Sequence, residues 1–94
     1  MRFEWDAAKA ASNLIKHGIA FEEATSVFDD FEALDLEDAA HSRIESRRLI
    51  FGITQRGILA VSYTSRGDKV RLISARIASR HERRIYEVSK RQRH

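Results

Sequence analysis

Arg47, Arg48, Arg66, Arg71 and Arg76 stand in or beside the β-branched, apolar stretch of this chain's second half, and Glu82 and Tyr86 follow shortly after. A planar guanidinium meets phosphate oxygens two at a time and stabilises negative charge growing on them. Carboxylates, phenols, imidazoles and amines of lowered pKa can carry protons. RNA brings its own nucleophile, the 2′-hydroxyl. Cleaving its backbone therefore asks a protein only to position the phosphate, stabilise charge and move two protons. Spacing alone does not say which of these side chains converge.

Other chemistries are poorly served. A zinc site needs His, Cys or carboxylates at tight spacing, and His17, His41, His81 and His94 fit no such pattern. The acids cluster where bases are few, unlike a two-metal nuclease. Asp29, Asp30, Glu32, Asp35, Glu37 and Asp38 read as a solvated acidic surface. There is no glycine-rich phosphate loop and no nucleophile elbow. Without Cys there are no disulfides or thiolate metal sites. No metal or cofactor is expected.

The charges are sorted along the chain. Residues 1–46 carry eleven acidic and four basic residues, whereas residues 66–94 carry ten basic and three acidic ones. The formal net charge of +3 conceals this polarity. A basic half concentrates potential where a polyanion can sit, which points to a nucleic-acid surface over a merely solvated tail.

Elements must hold these residues in place. Phe3–Trp5 is a short extended start. Asp6 caps a helix over 7–17, with Ala7, Ala10, Ala11 and Leu14 as its apolar stripe and Lys9, Asn13 and Lys16 on another face. Lys16 and His17 suit the helix C-terminus, and Gly18 suits the left-handed position beyond it. Phe21–Phe28 predicts a second short helix, lacking a side-chain cap at Ala20. A short strand at 33–36 and a polar loop at 37–46 follow. Arg48–Thr54, Ile58–Thr64 and Lys69–Ile77, separated by Gly57 and Gly67, predict a three-stranded antiparallel meander. Leu59, Val61 and Tyr63 share one face of its middle strand; Ile58, Ala60, Ser62 and Thr64 share the other. Ser79 and Glu82 form a capping box for a last helix running to about Arg91. The fold class is α+β: a small antiparallel sheet of three to five strands, two N-terminal helices and one C-terminal helix.

Ninety-four residues make one domain, 1–94, with a thin core. No apolar run is long enough to span a membrane, and the start lacks a signal-peptide core, so a cytoplasmic protein is expected. Several candidates also have plain structural readings. His17 serves as a helix-end charge, Glu82 as a cap, and Trp5 and Tyr63 as core. Arg76 divides evenly between a phosphate contact and an ion pair with an acid of the first half.

Phe3-Glu4-Trp5-Asp6, Lys9, Asn13, Lys16-His17-Gly18, Phe21-Glu22-Glu23-Ala24 and Val27-Phe28-Asp29-Asp30 together resemble the N-terminal half of the BrnT toxins. Arg66-Gly67-Asp68, the run from Arg71 to Ala78, and the run from Glu82 to Glu87 resemble the C-terminal half. The chain departs from the family pattern at Ala20, Phe31 and His81.

The resemblance implies a toxin of a type II toxin–antitoxin pair with a RelE/ParE-like fold. It implies a ribonuclease that arrests translation and is neutralised by a BrnA-like antitoxin. Operator DNA would be bound only through that antitoxin. On this reading Arg66, Arg71 and Arg76 hold phosphate, and Lys16 or His17, with Glu82 or Tyr86, moves protons. Lys9, Arg47, Arg48, Arg80, Arg83 and Arg84 extend the RNA-binding surface, and no metal takes part. The alternatives are a non-catalytic nucleic-acid-binding or regulatory module of the same fold, or a basic surface that docks an acidic protein. Salt-sensitive binding without cleavage would mark the first of these.

Overall fold

The computed structural model describes residues 1–43 and 45–93; Ile44, inside the expected 37–46 loop, and His94 lie outside the described residues. Strand β1 (Arg2–Glu4) leads into helix α1 (Ala7–His17) and a short helix α2 (Phe21–Ala24) continued by a 3₁₀ turn (Thr25–Asp29). Strand β2 (Leu34–Glu37) and a 3₁₀ turn (Ala39–His41) precede β3 (Arg48–Thr54), β4 (Gly57–Arg66) and β5 (Lys69–Ile77), and helix α3 (Arg80–Gln92) follows. The sheet order is β1-β5-β4-β3-β2.

The α+β class and the central meander are as the sequence predicts. The sheet is mixed, however, because β1 joins the β5 edge in parallel register, Phe3 opposite Val70. An early strand and a late one in the same sheet were not linked by any local turn signal. The expected 21–28 helix is α-helical only to Ala24. Ala20 supplies no side-chain acceptor, and only Glu23 Oε1 closes the N-terminus, by accepting from the Ala20 N–H at 3.2 Å. Its tightening into a 3₁₀ turn brings Val27 onto β3.

The strand period of two divides the side chains between two cores. On one face, Ile50, Leu59, Val61, Tyr63 and Leu72 pack against Ile19, Phe21, Ala24 and Val27. Trp5 lies at the rim of this core, edge-on to Phe21 with ring centroids 5.8 Å apart. Gly52 is needed here for close approach, since a Cβ at that position would sit 2.8 Å from the Val27 Cβ. On the opposite face, α3 lays Tyr86 and Ile85 on Phe51, Ile58 and Ala60. Helix α3 covers only part of that face. Ser62, Ser74 and Arg76, farther along β4 and β5, are left half-buried.

Helix α1 does not bury the stripe the sequence suggests. Leu14 is 50% exposed, whereas Asn13 is buried. The Asn13 amide does what a neighbouring strand would do. Its Nδ2 donates to the carbonyls of Ala75 (2.8 Å) and Ile19 (3.0 Å), and its Oδ1 accepts from the Ala75 N–H at 3.0 Å. β1 pairs only with residues 69–71 of β5, so Asn13 closes the next part of that edge. Pairing of buried backbone groups outweighs the apolar pattern of a small helix.

Candidate active site

The uncovered part of the α3 face forms a groove of about 430 Å³ whose lining includes Asp38, His41, Arg47, Ser62, Ser74 and Arg76. A second depression, of about 280 Å³, shares Arg47, Ile73 and Ser74 with it and adds Lys9, Lys16 and His17. A third, lined by His41, Arg43, Glu45, Arg47 and Arg66, adjoins on the other side. Together they make one basic track from the C-terminus of α1, over β5, to the 38–47 loop. Arg47 lies at the junction of all three.

The floor of the track is shaped by a register shift. Ser62 pairs with Ser74, but Tyr63 pairs with Leu72, so Ile73 has no opposite number. A bulge bends the strand and re-aims its side chains, and here it does so beside the basic groups.

The loop is tied at its base. The Asp38 N–H donates to the Arg47 carbonyl at 2.9 Å. The Ser42 hydroxyl donates to the Asp38 carbonyl at 2.6 Å and accepts from the Arg47 N–H at 3.0 Å. These bonds set His41 and Arg47 on the same groove. The His41 Nδ1 lies 3.1 and 3.0 Å from the two Asp38 carboxylate oxygens.

The arginines expected to hold phosphate are already engaged. Arg76 makes a two-pronged contact with Glu82, at 2.6 and 3.0 Å. The ion-pair partner of Arg76 thus lies on α3 and not in the acidic half, where the sequence reading sought it. Arg71 donates to Glu4 at 2.9 Å, and Arg66 lies 3.7 Å from Glu45. Arg48 faces the other side of the sheet, where its Nε donates to Asp35 at 2.9 Å beside the Tyr63 hydroxyl. Burial, reinforced by Asp35, pushes the Tyr63 phenol up to about 12. Arg47 and Arg48 are neighbours in sequence on opposite faces. Arg80, Arg83 and Arg84 are exposed on α3. Lys16, Arg47, Arg80, Arg83 and Arg84 make no side-chain hydrogen bond or ion pair with the described residues.

Two expected proton carriers are taken up by structural partners. Tyr86 is 1% exposed beneath α3, and its hydroxyl donates to Asp30 at 2.7 Å. Burial, then the Asp30 carboxylate, pushes its pKa up. Glu82 also accepts from the Ser79 N–H at 2.8 Å, completing the predicted capping box. The hydrogen bonds from Arg76 outweigh burial and hold the Glu82 carboxyl down at about 2, against an ordinary value of 4.5. The stabilisation from this lowered pKa is complete above about pH 4.5 and fades as the pH falls towards about 2. Thermal melts through that acid window should show wild type losing more stability than Glu82→Gln; equal losses would mean the pair contributes nothing in solution.

Among the described residues, no group of three or more His or carboxylate side chains could hold a metal ion, and no helix is long and apolar enough to cross a membrane. The sequence reading passed over two arrangements. Asp38 and His41 fall in what the sequence reads as an acidic surface and polar loop, although an Asp three residues before a His is a local signal. Asn13, placed from the sequence only on a helix face with Lys9 and Lys16, is an amide inside a helix, which competes poorly there unless it finds a partner. A search of the curated proteins finds no match. A basic track whose junction holds a guanidinium unpaired among the described residues is a surface suited to an RNA backbone. The family model for the ribonuclease toxin BrnT of type II toxin–antitoxin systems matches residues 5–82, and the chain belongs to that family.

Proposed function

We propose that this toxin is a metal-independent endoribonuclease that cleaves RNA by attack of the 2′-hydroxyl, arrests translation in the cytoplasm and is silenced by a BrnA-like antitoxin. The observation that carries the reading is the continuous track in which Lys16, His17, Arg47 and Arg76 line adjoining depressions. RNA threads along it. Arg47 meets the scissile phosphate, with Arg76 beside it, held in orientation by Glu82. Arg66, Arg71, Lys9, Arg80, Arg83 and Arg84 supply the surrounding positive field. Lys16 or His17, in the depression that Arg47 also lines, protonates the leaving oxygen. Tyr86 anchors α3 so that Glu82 and Arg76 keep their places. An antitoxin that covers this face blocks the RNA and neutralises its charge in the same event, and operator DNA is reached only through the antitoxin.

The test is cleavage of RNA by the purified chain in EDTA, with Arg76→Ala as a control whose fold is checked by thermal melting. Cleavage by the wild type, lowered at least tenfold in Arg76→Ala, is the expected result. Salt-sensitive RNA binding with no cleavage, and no growth arrest on expression, would replace this reading by that of a binding module.

A further inference from the structure

We infer that His41, oriented by Asp38, is the general base that activates the 2′-hydroxyl in the groove. The inference rests on the ribonuclease reading and adds to it the group that starts the reaction.

The argument begins with donors and acceptors. An ionised Asp38 carboxylate only accepts, so the contact to His41 fixes the proton of a neutral imidazole on Nδ1 and leaves the lone pair on Nε2. The Asp38 side chain is only 20% exposed, whereas that of His41 is 66% exposed. A largely sheltered carboxylate behind an accessible imidazole is the arrangement that lets a His accept a proton from a bound molecule. Both residues line the groove that also contains Arg47 and Arg76, and the Asp38–Arg47 backbone bond ties dyad and guanidinium to one loop base. The other charged groups facing the loop are Arg43, Glu45 and Arg66. None of the proton carriers expected from the sequence combines an orienting partner with access: the side chains of Lys16 and His17 have no partner among the described residues, Glu82 gives its oxygens to Arg76, and Tyr86 is buried.

The chemistry balances without a further reactant. His41 Nε2 takes the proton of the 2′-hydroxyl, the 2′-oxygen forms a bond to phosphorus, and the bond from phosphorus to the 5′-oxygen breaks. Arg47 and Arg76 stabilise the charge on the non-bridging oxygens. Lys16 or His17 gives a proton to the 5′-oxygen. The products are a 2′,3′-cyclic phosphate and a 5′-hydroxyl. Asp38 is a positioning residue that touches no reacting atom.

The experiment compares wild type, His41→Gly and Asp38→Asn on a single-stranded RNA oligonucleotide, with and without added imidazole. Thermal melts confirm that each variant is folded. His41→Gly is expected to lose roughly 10²-fold or more in cleavage rate, the scale of general-base catalysis. Imidazole should restore a measurable part of the rate. Asp38→Asn is expected to lower kcat with little change in KM, a split that a merely structural role would not produce. Full cleavage by a folded His41→Gly overturns the assignment and leaves the ribonuclease reading standing. So does a loss confined to KM that imidazole does not rescue. A wild type that leaves RNA intact and causes no growth arrest on expression overturns both.

Discussion

Arg47→Ala is expected to slow RNA cleavage by roughly 10²–10³-fold, the scale on which loss of one preorganised charge-stabilising donor acts. Its fold should be almost unaffected, with a stability change within about 0.5 kcal/mol, as for ordinary surface substitutions. Arg47 is half-buried, lines every depression along the track, and its guanidinium is without a partner among the described residues. No existing ion pair is broken by its removal. Arg71 offers the contrast. Glu4 already holds it, so Arg71→Ala releases a carboxylate at the sheet edge and should change cleavage less. Arg47→Lys keeps the charge but loses the planar fork, and recovery should be partial. Single-turnover cleavage of one oligonucleotide by the three variants decides the matter. A larger loss in Arg71→Ala than in Arg47→Ala would move the phosphate out of this groove.

The largest effect on stability is expected at Asn13. Replacing it by Ala leaves the Ala75 N–H, the Ala75 carbonyl and the Ile19 carbonyl without their partner. Each buried group stripped of its hydrogen bond costs about 1–3 kcal/mol, less where water enters. A total near 3 kcal/mol is expected, which for a domain of this size lowers the melting temperature by roughly 12–24 °C. Asn13→Asp should fare no better. It keeps the acceptor for Ala75 N–H but turns the donor into a second acceptor facing two carbonyls. Leu14→Ala, by contrast, trims a half-exposed side chain and should be nearly neutral. If Leu14→Ala destabilised more than Asn13→Ala, the orientation of α1 described above would be wrong. Since Lys16 and His17 ride on the same helix, the Asn13 amide also fixes one end of the basic track.

The contrast between Asn13 and Leu14 shows where sequence reasoning stops. The sequence by itself determined what depends on a few consecutive residues. Asp6 accepts from Ala8 and Lys9 N–H groups, Gly18 takes φ 71°, and Ser79 and Glu82 close their box, all as their types and spacing require. Alternating apolar residues separated by Gly57 and Gly67 determined the meander and both faces of β4. Residue types alone also determined that the second half would be basic.

Tertiary structure decided which of those charges are free. Arg71 meets Glu4, Arg48 meets Asp35, and β1 joins β5, across separations that no local signal spans. Ion pairs of this kind are set by strand register, and one step along a strand moves a side chain to the other face. Arg47 and Arg48 are therefore equivalent in the sequence and opposite in the fold. The closure of Asp38 onto Arg47, which brings His41 to the groove, depends in the same way on β2 and β3 being paired. Caps and turns are local hydrogen bonds, legible in order along the chain; an active site is a meeting of distant residues, and only packing arranges it.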